Sequence, residues 1–189
     1  MNTRSDYVYK DTFEHLLAAL MPMNKLAVEV SLCTGLRISD VLSLKRAQVN
    51  KQRFTIHEQK TGKAKRVYIP DELKSELLKY GGEIYIFEHR LDPKKHRTRQ
   101  AINKDLKRAA MLFRVKSMDG KHKANVTPHT ARKIFAVSKY QNSGALWKVQ
   151  ELLNHSNEAV TMIYAMADQI SEGKMKLKKI PKKNNNNKK

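Results

Sequence analysis

The sequence predicts a mainly α-helical domain carrying one small antiparallel β-sheet. Three observations lead there. Apolar residues recur at helical spacing along most of the first 170 positions. One early stretch, RFTIHEQKTGKAKRVYIP, breaks that period: two runs rich in β-branched and aromatic residues flank a turn near Gly62. A 40% hydrophobic share spread over 189 residues is enough for one core and leaves little room for a second.

Taken in order, DTFEHLLAALMP places Phe13, Leu16, Leu17 and Leu20 on one helical face, with Pro22 as a boundary. A second helix is expected from about Asn24, aligning Leu26, Val30 and Cys33 and stopping at Thr34-Gly35. A short helix from Ser39 to about Arg46 carries Val41, Leu42 and Leu44, and the hairpin follows it. Asp71 is placed to cap a helix holding Leu73, Leu77 and Leu78, closed by Gly81-Gly82. IYIF reads as a short strand or buried extended piece, and HRLDPKKHRTR as a solvent- or phosphate-facing loop. Ile102, Leu106, Ala109, Ala110 and Phe113 mark a further helix, and SMDGKHKANVTP another loop. Thr127 or Pro128 opens the helix HTARKIFAVSKY, and segments from Trp147 to Leu153 and from Glu158 to about Ala167 complete the set. The lone Cys33, in an apolar run, is expected as a buried, reduced thiol.

The net charge is +20, from 38 Lys and Arg against 18 Asp and Glu. Residues 171–189 hold eight Lys and one Glu, or +7, so the first 170 residues keep +13. The body is basic in its own right, which points to a polyanionic partner, nucleic acid ahead of an anionic membrane. No run approaches the length of a membrane span and the start lacks an apolar signal core, so a cytoplasmic protein is expected. KKIPKKNNNNKK, without apolar spacing, reads as a disordered basic end.

Several residues invite a chemical reading. Arg37, in TGLRISD, lies at a helix junction where a guanidinium and a helix N-terminus suit a phosphate, with Asp40 near enough to steady it. HTAR sets His129 and Arg132 on one helical face, able to grip one phosphate together. Lys60 belongs to the hairpin turn, His155 sits between two helices, and Tyr164 lies beside Val160 and Ile163. Singly, each has an ordinary account: a surface salt bridge, a solvated helix start, a turn lysine, a packed aromatic. No Cys/His cluster, carboxylate trio or phosphate-binding glycine loop has ligand-like spacing, so neither metal nor cofactor is expected.

In combination these residues resemble the catalytic domain of the tyrosine recombinase family, also called phage integrases. TGLRISD is similar to its first arginine box, with Arg37 as the arginine and Asp40 in the acidic slot. QKTGK resembles the catalytic lysine turn, with Lys60 favoured over Lys63. HTAR matches the His-x-x-Arg box through His129 and Arg132. ELLNHS matches the late box ending in His155, and Tyr164 stands nine residues on, where the nucleophile belongs. Two departures stand out: Asn154 where many members have Gly, and an Arg37 too early in the chain for the usual N-terminal core-binding domain.

The resemblance implies the tyrosine recombinase catalytic-domain fold over residues 1–170, with a basic segment, 171–189, that packs on a neighbouring subunit or ends as a frayed tail. It implies metal-independent cleavage and rejoining of double-stranded DNA through a 3′-phosphotyrosine on Tyr164. Arg37, Arg132, His129 and His155 would hold the phosphate, and Lys60 would protonate the leaving oxygen. It further implies a dimer or tetramer on DNA, with an accessory DNA-bending or DNA-binding protein. Arg90, Lys94, Lys95, Arg97 and Arg99, with Lys121 and Lys123, are the candidate DNA-contacting surface. Two other readings share the charge pattern: a non-cleaving DNA-binding or regulatory protein on the same fold, and a topoisomerase-like relaxing activity.

Overall fold

The computed structural model describes residues 5–117 and 120–153. The chain divides into two compact units, residues 1–135 and 136–189, the second beginning within a helix. Among the described residues no helix is long and apolar enough to cross a membrane.

The first unit opens with α1 (Lys10–Leu17), which buries Phe13, Leu16 and Leu17 as its apolar spacing requires. Helix α2 (Pro22–Thr34) starts two residues before the expected Asn24, because Pro22 occupies the first turn, where a missing N–H does no harm. It buries Leu26, Ala27, Val28 and Val30, but Cys33 is only half-buried, its thiol 3.4 Å from the Val30 carbonyl. Gly35 ends α2 in the left-handed region, at φ +66. A Cβ there would also strike the Phe135 ring, so two constraints select glycine.

The single helix expected from Ser39 to Arg46 is two: α3 (Ile38–Leu42) and α4 (Arg46–Val49). Lys45 between them is extended and pairs with Tyr85, while Ile86 N donates to Leu44 O and Arg46 N to Ile84 O. This distant pairing divides the helix, and in IYIF it leaves one bridging residue, Tyr85, followed by a turn: Ile86 and Phe87 are fully enclosed while Ile84 is exposed, so the segment is neither a strand nor buried throughout. Strands β1 (Arg53–His57) and β2 (Ala64–Tyr68) form the antiparallel hairpin, in a register that sets Ile56 opposite Lys65.

Helix α5 (Asp71–Tyr80) has Pro70 at its N-cap. Asp71 is therefore its first residue, acting through its charge and not as a side-chain cap. Helix α6 (Arg99–Leu112) is capped by Thr98 and buries Ile102, Leu106, Ala109 and Ala110. Phe113, expected on that face, falls past the helix end and is half exposed. Asp105 faces inward and ties α6 to the start of α2: its carboxylate accepts Met21 N at 2.9 Å, Asn24 Nδ2 at 2.8 Å and, within α6, Arg108 Nη2 at 2.8 Å.

Helix α7 (Pro128–Ser143) starts where the sequence places it. Its first turns are tied to the N-terminal segment: Thr130 Oγ1 donates to Asp6 O at 3.0 Å, and Lys133 Nζ to Ser5 O. In the second unit, Ala136, Val137 and Tyr140 of α7 are buried, as are Val149 of α8 (Leu146–Leu152) and Leu153.

Candidate active site

Four elements of the first unit bring charged side chains to the C-terminal end of α2. Arg37 is the N-cap of α3, in the extended conformation, two residues after Gly35. Its Nη1 lies 3.2 Å from Glu58 Oε2, at the end of β1. Arg132, one of the largest fully buried side chains in the protein, reaches from α7 and donates from Nη1 to Gly35 O. Lys65, from β2, donates from Nζ to Thr34 O at 3.1 Å. Asp40 lies in α3 with Oδ1 accepting Gln59 N at 2.9 Å.

Formally the cluster holds three cations, Arg37, Lys65 and Arg132, against two carboxylates, Asp40 and Glu58. An excess of positive charge in so dry a place favours an anion, and forked guanidinium donors suit a tetrahedral oxyanion. The titrations carry the mark of burial. Desolvation pushes the Lys65 ammonium down to about 8, helped by the like charges of Arg132 and Arg37 and opposed by Glu58 and Asp40. Burial also raises the Asp40 carboxyl, with Glu58 adding to the shift, against the opposing hydrogen bond from Gln59 N and the charges of Arg37 and Arg132.

Lys60 sits in the turn and is exposed. Its position is nonetheless anchored, because the two residues before it, Glu58 and Gln59, are the ones tied to Arg37 and Asp40. Within the turn, Gly62 N donates to Glu58 O at 2.8 Å and Thr61 Oγ1 to Glu58 Oε2 at 2.8 Å. His129 is half-buried in the first turn of α7, with its backbone N–H on Thr127 Oγ1. His155, Tyr164 and Asn154 lie outside the described residues.

Glu58 and Lys65 were missed by reasoning from sequence, though their signal was present. Phe54, Ile56 and Glu58 alternate inward along one strand, and Lys65, Val67 and Ile69 along the other. A charged residue at an inward position of such an alternation marks a buried polar site.

On the surface, Arg90, Lys94, Lys95, Arg99, Lys121 and Lys123 are exposed, with Lys95 2.9 Å from Asp92. Arg97 departs from the solvated-loop expectation. It is half-buried, with Nη1 3.4 Å from Asn24 Oδ1, because its backbone N–H bonds Phe87 O and draws that residue against the core. Among the described residues there is no group of three or more His, Cys, Asp or Glu able to hold a metal ion.

The model of the phage integrase family matches residues 6–170, the whole stretch containing these residues. The chain belongs to the phage integrase family. This integrase-family chain is 31% identical to the probable integrase/recombinase YoeC of Bacillus subtilis over 137 residues, covering 72% of this chain and 73% of that one. It is 28% identical to a tyrosine recombinase of Thermosipho africanus, spanning 58% of that protein, and 28% identical to tyrosine recombinase XerA of Thermococcus kodakarensis, spanning 56%. Among solved structures it resembles the catalytic domain of bacteriophage HP1 integrase, with a TM-score of 0.60 and 24% identity over 86% of this chain and 88% of that one. A lambda integrase dimer bound to a COC′ core site gives a TM-score of 0.69 at 18% identity, over 97% of this chain and 53% of that one. The mostly helical architecture with its two-stranded sheet is thus the tyrosine recombinase catalytic-domain fold.

Proposed function

We propose that this integrase-family chain carries out site-specific recombination of double-stranded DNA by cutting and rejoining strands through a covalent phosphotyrosine at Tyr164. The observation that carries the reading is the meeting of Arg37 and Arg132, far apart in sequence, at one end of α2. A phosphodiester resists attack because negative charge builds on its nonbridging oxygens. Fixed cationic donors lower that barrier, each by roughly 3 kcal/mol on the scale of oxyanion-hole deletions.

In the proposed reaction the Tyr164 oxygen attacks phosphorus in line, forming a 3′-phosphotyrosine and releasing the 5′-oxygen. The phenol gives up its proton to a neighbouring base or solvent, and Lys60 donates one to the leaving 5′-oxygen, which departs as a hydroxyl. Arg37 and Arg132 hold the nonbridging oxygens, with His129 and His155 as further donors. Asp40 steadies the pocket from α3. The covalent link conserves the bond energy, so a 5′-hydroxyl of another strand can reverse the step. Positive charge comes from side chains, so the scheme calls for no metal. Because Arg132 is closed to solvent, it also requires the pocket to open when DNA binds.

The basic surface would hold the duplex, through Arg90, Lys94, Lys95 and Arg99 on one loop and Lys121 and Lys123 on another. Assembly as a dimer or tetramer on DNA, with an accessory DNA-bending or DNA-binding protein, completes the proposal. The test is a nicked duplex carrying the attachment sequence found beside the gene. Wild type is expected to form a denaturation-resistant protein–DNA adduct in the presence of a chelator, and Tyr164→Phe none. Specific binding without an adduct would replace this reading with that of a non-cleaving DNA-binding protein.

A further inference from the structure

The last carbonyls of a helix carry its negative partial charge, and the turn that closes α2 is held by side chains. Lys65 Nζ takes the Thr34 carbonyl at 3.1 Å, Arg132 Nη1 the Gly35 carbonyl, and Ser31 Oγ the Leu36 carbonyl at 2.7 Å. Three consecutive carbonyls are thus fixed by three different side chains, and the next residue is Arg37. The scheme above leaves Lys65 without a task. Yet Lys65 is only 9% exposed, and lysine is among the residues least often enclosed without a purpose. Methionine would fill the same inward position of β2 without desolvating a charge.

We propose that Lys65 is a positioning residue for strand cleavage: by holding the Thr34 carbonyl it fixes the turn that aims Arg37, beside Arg132, at the scissile phosphate. This rests on the recombinase reading. The groups facing its ammonium are Arg132 from α7, Arg37 and Asp40 from α3, and Glu58 from the end of β1. With burial dominant, the ammonium titrates at about 8 in the DNA-free protein. A phosphodiester anion among these groups favours the charged lysine, so substrate binding and protonation of Lys65 assist one another.

The experiment measures single-turnover adduct formation by the full chain on the nicked duplex, with oxygen or sulfur at the 5′-bridging position, across pH 6.5–9.5. A thiolate leaves without a proton, so the sulfur substrate bypasses any general acid. Lys60→Ala is expected to lose about 100-fold or more with oxygen and to recover with sulfur. Lys65→Met is expected to slow both substrates by the same factor, roughly 10- to 100-fold, with DNA affinity within a few-fold of wild type. Lys65→Arg, which keeps a charged donor at every pH, is expected to regain most of the rate. It should also lose the alkaline decline that wild type shows on sulfur. A wild-type rate from Lys65→Met overturns the proposal. So does rescue of Lys65→Met by sulfur, which would make Lys65 the general acid. If Lys65→Met does not fold, an alkaline decline in Lys65→Arg identical to wild type overturns it. Absence of adduct from wild type on both substrates sinks the recombinase reading itself, whereas wild-type adduct with indifferent Lys65 variants sinks only this one.

Discussion

Exchanging Lys65 for methionine gives a stability test that needs no DNA. The ammonium titrates at about 8 in the folded protein against 10.5 for an ordinary lysine, chiefly because it is buried. A folded value below the unfolded one means that the unfolded chain binds more protons between those two limits. Wild-type stability therefore rises with pH across the window, is complete above 10.5, and is lost as pH falls back through about 8. At about 1.36 kcal/mol for each unit, the effect approaches roughly 3 kcal/mol, most of it developed between pH 7 and pH 10. Lys65→Met has no proton to exchange, so subtracting its stability cancels the other lysines and the tyrosines. Urea unfolding followed by far-ultraviolet circular dichroism, at half-unit steps of pH, yields the difference curve. A difference that stays flat from pH 7 to pH 10 would mean that Lys65 is solvated, and the account of a dry, cation-rich cluster would be wrong.

Gly35→Ala meets both a left-handed backbone and the Phe135 ring, so a loss of about 2 kcal/mol or more is expected in thermal melts. Gly62→Ala, at nearly the same φ but with nothing near its Cβ, should lose only about 1 kcal/mol. Asp105→Ala removes the acceptor shared by the Met21 amide, Asn24 and Arg108, and should destabilise by roughly 2–4 kcal/mol. Burial alone would raise the Asp105 carboxyl, but hydrogen bonds from Asn24, Arg108 and Met21 outweigh it and hold the group below its ordinary value. Its stabilisation is therefore present at neutral pH and lost only as pH falls through that depressed value, visible as a wild-type acid transition that Asp105→Asn lacks. Neutralising Arg90, Lys94 and Arg99 together should weaken DNA binding equally for all sequences. It should also flatten the logarithmic salt dependence by up to about 0.9 for each phosphate contact removed, read by fluorescence anisotropy.

The helices and the hairpin were legible wherever local pattern decides structure. Phe13, Leu16 and Leu17 lie on one face of α1, and Gly35 stops α2, because those outcomes depend on neighbours in the chain. The break between α3 and α4 was not legible, since it depends on Lys45 pairing with Tyr85, forty positions away. In the site, Arg37 and Arg132 were visible through their surrounding motifs, and they do converge. Glu58 and Lys65 were hidden by a habit of inference that sends charged residues to solvent, although the two-residue alternation of their strands pointed inward. Arg97 was misplaced for the converse reason: a basic loop suggests exposure, and only the fold reveals that Asn24 receives its guanidinium.

The pair of ties at the base of the hairpin limits what can travel. Glu58 is engaged with Arg37 and Gln59 with Asp40, so a swing of both strands would part a guanidinium from one buried carboxylate and a second carboxylate from its amide donor in one stroke. The turn just beyond those attachments is closed on Glu58 as well, by the Gly62 amide and the Thr61 hydroxyl. The freedom left to the Lys60 amine is then that of its own exposed side chain, and in the proposed scheme that reach, with no swing of the hairpin, would deliver the proton.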